Sequence, residues 1–465
     1  MLTSFAILTL GCKVNQYESQ QIRQLLERYG LRHAEVTQSP QLLIVNTCCV
    51  THTASAKSRH FVHLAQKHRP EAVVICGCLP AIQTDEFQAA GENVHVVKDR
   101  RDLAATLHSL IAAQATTPDA PCSRYSSTSI KAQNDAKVKS KNDLCSFDEL
   151  PSLTSFQGQT RAFLKVQDGC DACCSYCIIP TVRPSVRFKK SEEILAEAAA
   201  LVAAGHKEIV LTGVHLGAYG YATARRRTWP DAENKHLPAL LDKVAQIPNL
   251  PRIRLSSLDP ADVTPTLLDI FAAHPNIMPH LHLSLQSGSD SILRRMARPY
   301  TADDFRAKVA LIRSRLDRPA ITTDIIVGFP GETDADFDQT VALAKEVAFA
   351  KMHVFAFSAR QNTPAAGMQP KVPPEVKKHR SHALRTLDET LQVEFRSQFL
   401  GETAQVLIET PAPHPTGHAE RYFTVQITAS PHPPTINDLV TVRIEKNAID
   451  GVVGRLPAED SDAES

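Results

Sequence analysis

The sequence predicts an α/β protein with an open parallel-sheet N-terminal domain, a partial (β/α)6 barrel and a small C-terminal all-β barrel. Three observations predict this architecture. Short apolar runs alternate with amphipathic stretches near the amino terminus, and six more such alternations follow from about residue 161. After residue 400, short alternating runs are separated by turns rich in Pro and Gly.

Composition restricts the classes of function. The 465 residues, 43% hydrophobic and 22% charged, are typical of globular proteins with several domains. Lys and Arg number 51 against 50 Asp and Glu, which excludes a strongly basic nucleic-acid-binding protein and confines such contacts to local patches. No apolar run reaches about 18 residues, and no secretory signal pattern is present. We therefore expect a cytoplasmic protein without membrane contact, in which thiols stay reduced.

Three apolar runs predict the parallel strands of the first domain, 1–112. They are "FAILTL" (5–10), "LLIVN" (42–46) and "AVVIC" (72–76). A cysteine follows each run within two residues: Cys12, Cys48 and Cys78. Because the carboxyl ends of parallel strands meet at one edge of a sheet, we expect these three cysteines to lie close together.

Two segments lack any periodic pattern. Residues 113–157 are rich in Ser, Thr, Ala, Lys and Asn, with too few apolar side chains to become ordered, which predicts a flexible linker of unassigned role. The acidic residues 457–465 predict a disordered tail.

Six further runs predict the strands of the barrel domain, 158–398. They are "AFLKVQ" (162–167), "EIVLTG" (208–213), "RIRLSS" (252–257), "LHLSLQ" (281–286), "TTDIIVG" (322–328) and "MHVFAF" (352–357). Helical patterns follow them, as in "SEEILAEAAALVAAG", where Ser191 is the predicted N-cap and Gly205 the predicted C-cap. A last helix at about 375–400 precedes the runs "GETAQVLIE", "RYFTVQI" and "DLVTVRIEK", which predict the small β-barrel, 399–456.

The segment "GCDACCSYC" begins directly after the first strand of the barrel domain. Cys170, Cys174 and Cys177 in it have the spacing C-x3-C-x2-C. A zinc site usually has four protein ligands, whereas three thiolates without a nearby His suit an iron–sulfur cluster that leaves one iron open. An open iron can bind a substrate, and chemistry in such barrels gathers at the carboxyl ends of the strands.

With the flanking "QDGC" and "YCIIP", this motif resembles that of the radical S-adenosylmethionine enzymes, and within them the methylthiotransferases. The resemblance implies that Cys170, Cys174 and Cys177 hold a [4Fe–4S] cluster in a radical SAM core. The open iron would bind S-adenosyl-L-methionine, and one-electron reduction would cleave this cofactor to a 5′-deoxyadenosyl radical. The cofactor then carries the chemistry, so no side-chain acid or base is expected to be catalytic.

Methylthiotransferases also carry an auxiliary [4Fe–4S] cluster on an amino-terminal domain. Their motifs are similar to "LGCKVN", "VNTC" and "GC" here, so the resemblance implies Cys12, Cys48 and Cys78 as its ligands. The neighbouring Cys49, Cys76 and Cys173 are outside the motif positions. We interpret these three as small, partly buried structural residues.

The terminal β-barrel resembles the TRAM domain, an RNA-binding module, which implies a macromolecular substrate. The basic segments "EVKKHRSHALR" and "ARRRTW" (224–229) either contact phosphates or form solvated surface. The stretch "TLGCKVNQYES", with Lys13 and Val14, is similar to the branch that acts on threonylcarbamoyladenosine beside the anticodon of tRNA. The resemblance also implies three partners: the tRNA anticodon loop, a low-potential electron donor such as flavodoxin or ferredoxin, and a sulfur donor.

Three alternatives remain open from the sequence. The branch that acts on isopentenyladenosine in tRNA usually has Gln-Met at positions 13 and 14, and the branch that acts on a ribosomal-protein aspartate usually has Pro-Lys. A function of another class is a zinc-structured RNA-binding protein.

Further residues at the predicted strand ends are expected to face the cofactor: Gly213, Ser284, Gln286 and Asp324. The alternative is that they only satisfy backbone groups there. His215, His280 and His282 are interpreted as hydrogen-bonded structural residues rather than metal ligands. The chain departs from the family pattern at Pro184, which forbids the positive φ of a glycine, and at Asn362, which can still adopt a left-handed conformation.

Overall fold

The computed structural model describes residues 2–83, 87, 91–112, 150–225, 234–428 and 432–457. Most of the predicted linker (113–149), the run 226–229 and the tail from 458 lie outside the described residues. The chain divides into two compact units. The first comprises Met1–Cys49, Thr53–Ser152 and Arg187–Lys189, and the second Val50–His52, Leu153–Val186 and Lys190–Ser465. No helix in the described ranges is both long enough and apolar enough to cross a membrane.

The amino-terminal elements form a parallel α/β sheet. They are β1 (Ser4–Thr9), α1 (Lys13–Arg28), β2 (Arg32–His33), β3 (Leu42–Thr47), α2 (His52–Lys67), β4 (Ala72–Gly77), β5 (Val94–Val96) and α3 (Leu103–Ala112). The strand order is β2-β1-β3-β4-β5, and every neighbouring pair is parallel. The predicted open parallel sheet is confirmed. The edge strands β2 and β5 were not predicted, because two or three residues are too few to show a periodic pattern.

The centre of this sheet is buried on both faces, as expected of a parallel sheet covered by helices. All six residues of β3 and the first five of β4 are buried. One apolar core joins the sheet to the helices, and it includes Phe5, Ile44 and Val74 from the strands with Ile22 and Leu26 from α1.

The second unit contains the partial barrel. Its elements begin with β6 (Arg161–Asp168), α4 (Ile179–Val182), α5 (Ser191–Ala203), β8 (Glu208–Gly213), α6 (His236–Ala245), β9 (Arg252–Leu255) and α7 (Pro265–Ala273). The two-residue strand β7 (Arg187–Phe188) comes between α4 and α5 in the chain but belongs to the first unit. They continue with β10 (His280–Gln286), α8 (Asp290–Arg295), α9 (Ala302–Arg315), β11 (Ala320–Val327), α10 (Asp334–Val347), β12 (Lys351–Ala356), α11 (Pro364–Gly367) and α12 (Pro374–Ser397).

The six predicted barrel strands are all present and parallel. Strands β6, β8 and β9 pair in that order, as do β10, β11 and β12. Parallel bridges from Ile253 to Ile277 and from Leu258 to Leu283 continue the ladder between the two sheets. Within the described residues the order is thus that of a six-stranded partial barrel, which confirms the predicted fold class.

The ends of α5 test the predicted caps. Lys190, with extended φ/ψ of −66° and 147°, is the N-cap, so the prediction of Ser191 was wrong by one residue. The extended conformation of Lys190 places the first helical turn at Ser191. At the other end Ala204 is the C-cap, so the prediction of Gly205 was also wrong by one residue. Gly205 follows the C-cap with φ +96° and donates its N–H to the carbonyl of Val202 at 2.9 Å. A left-handed glycine just after the last helical residue is a common helix stop.

The carboxyl-terminal strands form a closed barrel, called the terminal barrel below. They are β13 (Thr403–Thr410), β14 (Thr416–Ala419), β15 (Thr424–Ile427), β16 (Leu439–Ala448) and β17 (Gly451–Arg455), in the order β13-β14-β15-β17-β16. The predicted barrel is confirmed, but β14 and β17 were missed. Both contain glycines where strands approach closely: a Cβ on Gly454 would lie 2.5 Å from Val442 Cγ1, and one on Gly417 would overlap the Leu407 carbonyl.

Two buried arginines of β9, Arg252 at its first position and Arg254 two residues later, join the partial barrel to the terminal barrel. Arg252 donates to the carbonyl of His418 at 2.9 Å, and Arg254 donates to those of Glu420 at 2.7 Å and Ala419 at 2.8 Å. The buried Glu208 carboxylate accepts from Arg254 at 2.9 Å. The terminal barrel therefore covers the amino-terminal end of the partial barrel and leaves the carboxyl ends of its strands to other contacts.

Candidate functional site

Cys12, Cys48 and Cys78 leave one edge of the first sheet. They follow β1, β3 and β4, which are adjacent strands. Thr47 pairs with Gly77, so Cys48 and Cys78 are each the first residue after that pair. Since neighbouring strands are about 4.8 Å apart, the structure brings all three predicted cysteines to one edge.

Two glycines make this close approach of the strand ends possible. Gly11 has φ +115°, and a Cβ there would lie 2.8 Å from Asn15 Nδ2 and 3.1 Å from Cys48 Cβ. Gly77 has φ +92°, and a Cβ there would lie 2.6 Å from both Asn46 Oδ1 and the Thr47 backbone nitrogen. Side chains at either position would separate the strands from which the cysteines emerge.

An asparagine pair holds this edge together. Asn15 Nδ2 donates to the carbonyls of Leu10 at 2.7 Å and Thr47 at 2.9 Å, and Asn46 Nδ2 donates to the Asn15 carbonyl at 2.9 Å. Asn46 Oδ1 is buried and has no hydrogen-bond partner among the described residues. A buried orphan acceptor next to Gly77 is expected where a further group belongs.

The cysteines of the first unit differ in exposure. Cys12 is exposed, whereas Cys48 and Cys78 are 7% and 5% exposed. Cys49 is fully buried, and Cys76 packs in the apolar core of the sheet. The burial of Cys49 and Cys76 is that of structural residues, as interpreted from the sequence.

The second trio lies on the segment 169–177, called the cysteine loop below, which begins where β6 ends. Gly169 has φ +76°, and the Cys170 N–H donates to the Arg183 carbonyl at 3.0 Å. Further along, Ser175 donates its N–H to the Met296 carbonyl at 3.0 Å and its hydroxyl to the Arg295 carbonyl at 2.7 Å. The loop is thus tied to the segment after β10. Cys173 is exposed, so the expectation that it is partly buried was wrong.

The thiols of the cysteine loop lie near enough to influence one another. Burial, with a smaller contribution from the nearby Cys174, raises the pKa of Cys170 to about 11. Burial also raises the pKa of Cys177 to about 12, with added repulsion from Cys174 and Cys170. A metal bound at these cysteines would displace the thiol protons, because cysteine binds metals as the thiolate.

The two cysteine trios are not arranged as compact single-ion sites. Within the described residues, the one group of His, Cys, Asp or Glu ligand atoms that all lie within 4.8 Å of one another is His282, Asp324 and His353. Neither cysteine trio is so compact. The thiolates of a cubic cluster bind different irons, so they need not meet at a single point.

Arg298 is a candidate site residue that the sequence pattern does not reveal. Its Nη1 donates to Cys174 Sγ at 3.2 Å, and its Nη2 donates to Asp259 at 2.6 Å. The guanidinium also lies 4.8 Å from the centre of the Tyr300 ring. The motif "RMARPYT" contains it, but nothing in the local sequence pairs it with a cysteine 124 positions away.

At the end of β8, Gly213 packs against Gln167 of β6, since a Cβ there would lie 2.9 Å from Gln167 Oε1. The same oxygen accepts the His215 N–H at 2.7 Å. His215 Nε2 is buried without a hydrogen-bond partner among the described residues. The interpretation of His215 as a hydrogen-bonded structural residue therefore does not account for this atom.

The end of β10 holds two predicted residues. Gln286 is 8% exposed and has φ +68°, where the register with β11 shifts. The Ser284 carbonyl accepts the Tyr300 hydroxyl, and its side chain is half-buried. Both residues therefore lie at the carboxyl edge of the barrel, near the loop that carries Arg298.

Asp324, the remaining predicted residue, does not lie at the end of its strand. It is three residues before the end of β11 and forms an ion pair with His282 at 3.3 Å. His280 lies deeper still, where it stacks on Tyr422 with ring centres 4.7 Å apart and makes a hydrogen bond to Thr322 at 3.2 Å. This is the structural role expected for His280.

The departures from the family pattern leave the loops ordered. Asn362 has φ +66°, so the expected left-handed conformation is confirmed. Beside Pro184, Arg183 donates to the Asp168 carboxylate at 2.8 Å. Asp168 also accepts from Lys165 at 3.2 Å, so the end of β6 is fixed by two cations.

Comparisons with known proteins identify the family. Residues 164–344 match the Radical SAM superfamily, and residues 4–98 match the uncharacterized protein family UPF0004. A Chlamydia pneumoniae protein named threonylcarbamoyladenosine tRNA methylthiotransferase MtaB is 34% identical over 97% of this chain and 98% of its own length. A protein of the same name from Bacillus subtilis is 34% identical over 88% of this chain and 85% of its own.

A second group of relatives has another name. A Neorickettsia sennetsu protein named tRNA-2-methylthio-N(6)-dimethylallyladenosine synthase is 33% identical over 96% of this chain and 91% of its own. Among solved structures, the radical S-adenosylmethionine methyltransferase TsrM from Kitasatospora setae has a TM-score of 0.53 at 14% identity, covering 79% of this chain and 74% of that one. That likeness shows a shared fold. With relatives of this identity over nearly the full length, the chain belongs to the radical S-adenosylmethionine methylthiotransferase family.

Proposed function

We propose that this chain converts N6-threonylcarbamoyladenosine beside the anticodon of tRNA to its 2-methylthio derivative, in the cytoplasm. The observation that carries the proposal is near-full-length similarity to proteins named threonylcarbamoyladenosine tRNA methylthiotransferase. Lys13 and Val14, the residues typical of that branch, support it.

Six cysteines hold the two clusters in this proposal. Cys12, Cys48 and Cys78 bind the auxiliary cluster at the edge of the first sheet, and Cys170, Cys174 and Cys177 bind the other at the end of β6. When bound, the clusters and S-adenosylmethionine supply the cleavage of the adenine C–H bond, the sulfur and the methyl group. The protein itself supplies binding and orientation, as is usual for cofactor enzymes.

In this proposal, residues at the strand ends and next to the clusters have specific roles. Gly213 and Gln286 shape the backbone at the strand ends, and the orphan His215 Nε2 and the Ser284 hydroxyl offer polar contacts to S-adenosylmethionine. Arg298 keeps a cation next to the Cys174 thiolate. We propose that the terminal barrel acts as a TRAM module for the tRNA, whose single-stranded loop exposes the base. A low-potential donor such as flavodoxin or ferredoxin and a separate sulfur donor complete the set of partners.

A second candidate substrate is isopentenyladenosine in tRNA. The Neorickettsia relative favours it, because its 33% identity is close to the 34% of the first group. Overall identity therefore does not separate the two substrates, and the choice depends on the few residues around Cys12.

Mass spectrometry of tRNA nucleosides from a deletion strain tests the proposal. We expect 2-methylthio-threonylcarbamoyladenosine to disappear and its unmodified precursor to accumulate. The wild-type chain should restore the product, and Cys174→Ala should not. Cys173→Ala is the matched control, since it removes an exposed neighbouring thiol outside the motif, and it should restore the product.

Two outcomes contradict the proposal. Loss of 2-methylthio-isopentenyladenosine instead would identify isopentenyladenosine, the second candidate, as the substrate. Full complementation by Cys174→Ala would remove the cysteine loop from the mechanism. Iron analysis of the reconstituted protein gives an independent measurement, for which two clusters predict about eight irons per chain.

A further inference from the structure

Three neighbouring strands of the partial barrel place two imidazoles and a carboxylate together. His282 on β10, Asp324 on β11 and His353 on β12 have ligand atoms that all lie within 4.8 Å of one another. We propose that these three residues form a binding site for a divalent transition-metal ion inside the partial barrel, separate from the two cysteine trios.

Strand register explains why they meet. His282 pairs with Thr322, and Asp324 pairs with His353. Because side chains two residues apart on a strand share a face, Thr322 and Asp324 point to the same side of the sheet as their partners. On β12 the residues of the other face, Met352 and Val354, are buried, whereas His353 is exposed. The three candidate ligands therefore share the inner face of the barrel.

The side-chain geometry is that of a partly assembled site. His282 Nε2 lies 3.3 Å from Asp324 Oδ2, and the His282 and His353 ring centres are 5.8 Å apart. His282 Nδ1 makes a 2.9 Å hydrogen bond with Thr322 Oγ1, which orients the ring and directs Nε2 toward Asp324. Metal-binding histidines usually have such a partner on their second nitrogen.

The donor set selects the class of ion. Two imidazoles and one carboxylate suit Zn²⁺, Fe²⁺ and related ions, and three protein ligands leave coordination positions open. His282 and Asp324 are 13% and 29% exposed, and His353 is exposed, so an ion and its water ligands have a path to the site. The open positions can take water or an oxygen ligand of a substrate.

The site is distinct from that of the cysteine loop. Asp324 lies three residues before the end of β11, and His282 four before the end of β10. At about 3.3 Å per residue, they are roughly 10 Å deeper in the barrel than the strand ends. A role as a metal ligand replaces the purely hydrogen-bonded role that the sequence indicates for His282.

Zinc uptake by the full chain with both clusters loaded tests the inference. After dialysis against Zn²⁺, we expect one more bound zinc per chain in the wild type than in His282→Ala/His353→Ala. The matched control is His379→Ala/His382→Ala, which removes two exposed histidines of α12 and should keep the extra zinc. Iron content is measured in every sample, because unchanged iron shows that the variants are folded and their clusters intact.

X-ray absorption at the zinc edge identifies the ligands. We expect the difference between the wild type and the double variant to be a site with nitrogen and oxygen ligands and without a sulfur shell near about 2.3 Å. Asp324→Asn keeps the shape and removes the charge, and it should also lose the extra zinc. Equal zinc in the wild type, Asp324→Asn and both double variants would overturn the inference, as would a difference site with sulfur ligands.

Discussion

Replacing Gly169 by alanine tests whether the cysteine loop depends on its backbone geometry. Gly169 has φ +76°, and an added Cβ would overlap the Ser185 carbonyl oxygen. Real Cβ contacts stay beyond 3.0 Å, so this strand–loop junction has to move by about 1 Å or more. A functional constellation tolerates displacements of only about 0.5 Å, so the move is large enough to disturb the ligands.

The chain offers a matched control. Gly158 also has φ +76°, and a Cβ there meets nothing within 4 Å. Both substitutions carry the strain of a left-handed alanine, about 1–2 kcal/mol, but only Gly169→Ala adds the overlap. We expect Gly158→Ala to keep the wild-type iron content and to melt at a slightly lower temperature.

For Gly169→Ala we expect loss of about half of the iron, because one of two four-iron clusters is affected. The hydrogen bond from the Cys170 N–H to the Arg183 carbonyl, 3.0 Å long, lies beside the overlap and should break. Iron analysis and absorption spectroscopy after anaerobic reconstitution measure the result. Equal iron in the two alanine variants would refute the reasoning, because strain alone would then explain any effect.

Three more outcomes are expected. Arg298→Met leaves the buried Asp259 carboxylate without its cation and should reduce the free energy of unfolding by about 3–5 kcal/mol in chemical denaturation, of which Asp259→Asn in the same chain should recover a part. An equal loss in the single and double variants would contradict this. Gly77→Ala should lose iron from the first unit while Gly30→Ala, also left-handed but in open space, should not. Burial lowers the pKa of His206 below 6.5, so the folded state binds a proton less readily than the unfolded state, and stability should fall as pH drops through 6.5. Thermal melts at about pH 7.5 and 5.5 should show a smaller difference for His206→Gln than for the wild type, and an equal difference would rule out this contribution.

The sequence predicted the elements whose pattern is local. Buried strands such as Leu42–Thr47 and Ala72–Gly77 are continuous apolar runs, so both their positions and the cysteines after them could be read directly. The rule that parallel strands share a carboxyl edge then grouped Cys12, Cys48 and Cys78. Short or glycine-containing strands such as β2 and β17 carry no such pattern and were missed.

Contacts that depend on strand register or on loops distant in sequence could not be predicted from the sequence. Arg298 meets Cys174 only because the loops after β6 and β10 converge. His353 is one exposed position of an edge strand, and its meeting with Asp324 depends on a pairing that the sequence does not specify. The sequence pattern predicts Asp324 near the end of its strand, but such a pattern does not define the first and last residues of β11.

The buried guanidinium groups of Arg252 and Arg254 couple the stability of the partial barrel to that of the terminal barrel. Their hydrogen bonds to the terminal barrel end on main-chain oxygens, so a truncation removes them all at once, whereas a side-chain substitution there removes none of these acceptors. A chain that stops before Thr403 would lose these acceptors and expose both guanidinium groups. The terminal barrel is thus also a structural support of the partial barrel, and we expect its removal to destabilise the partial barrel.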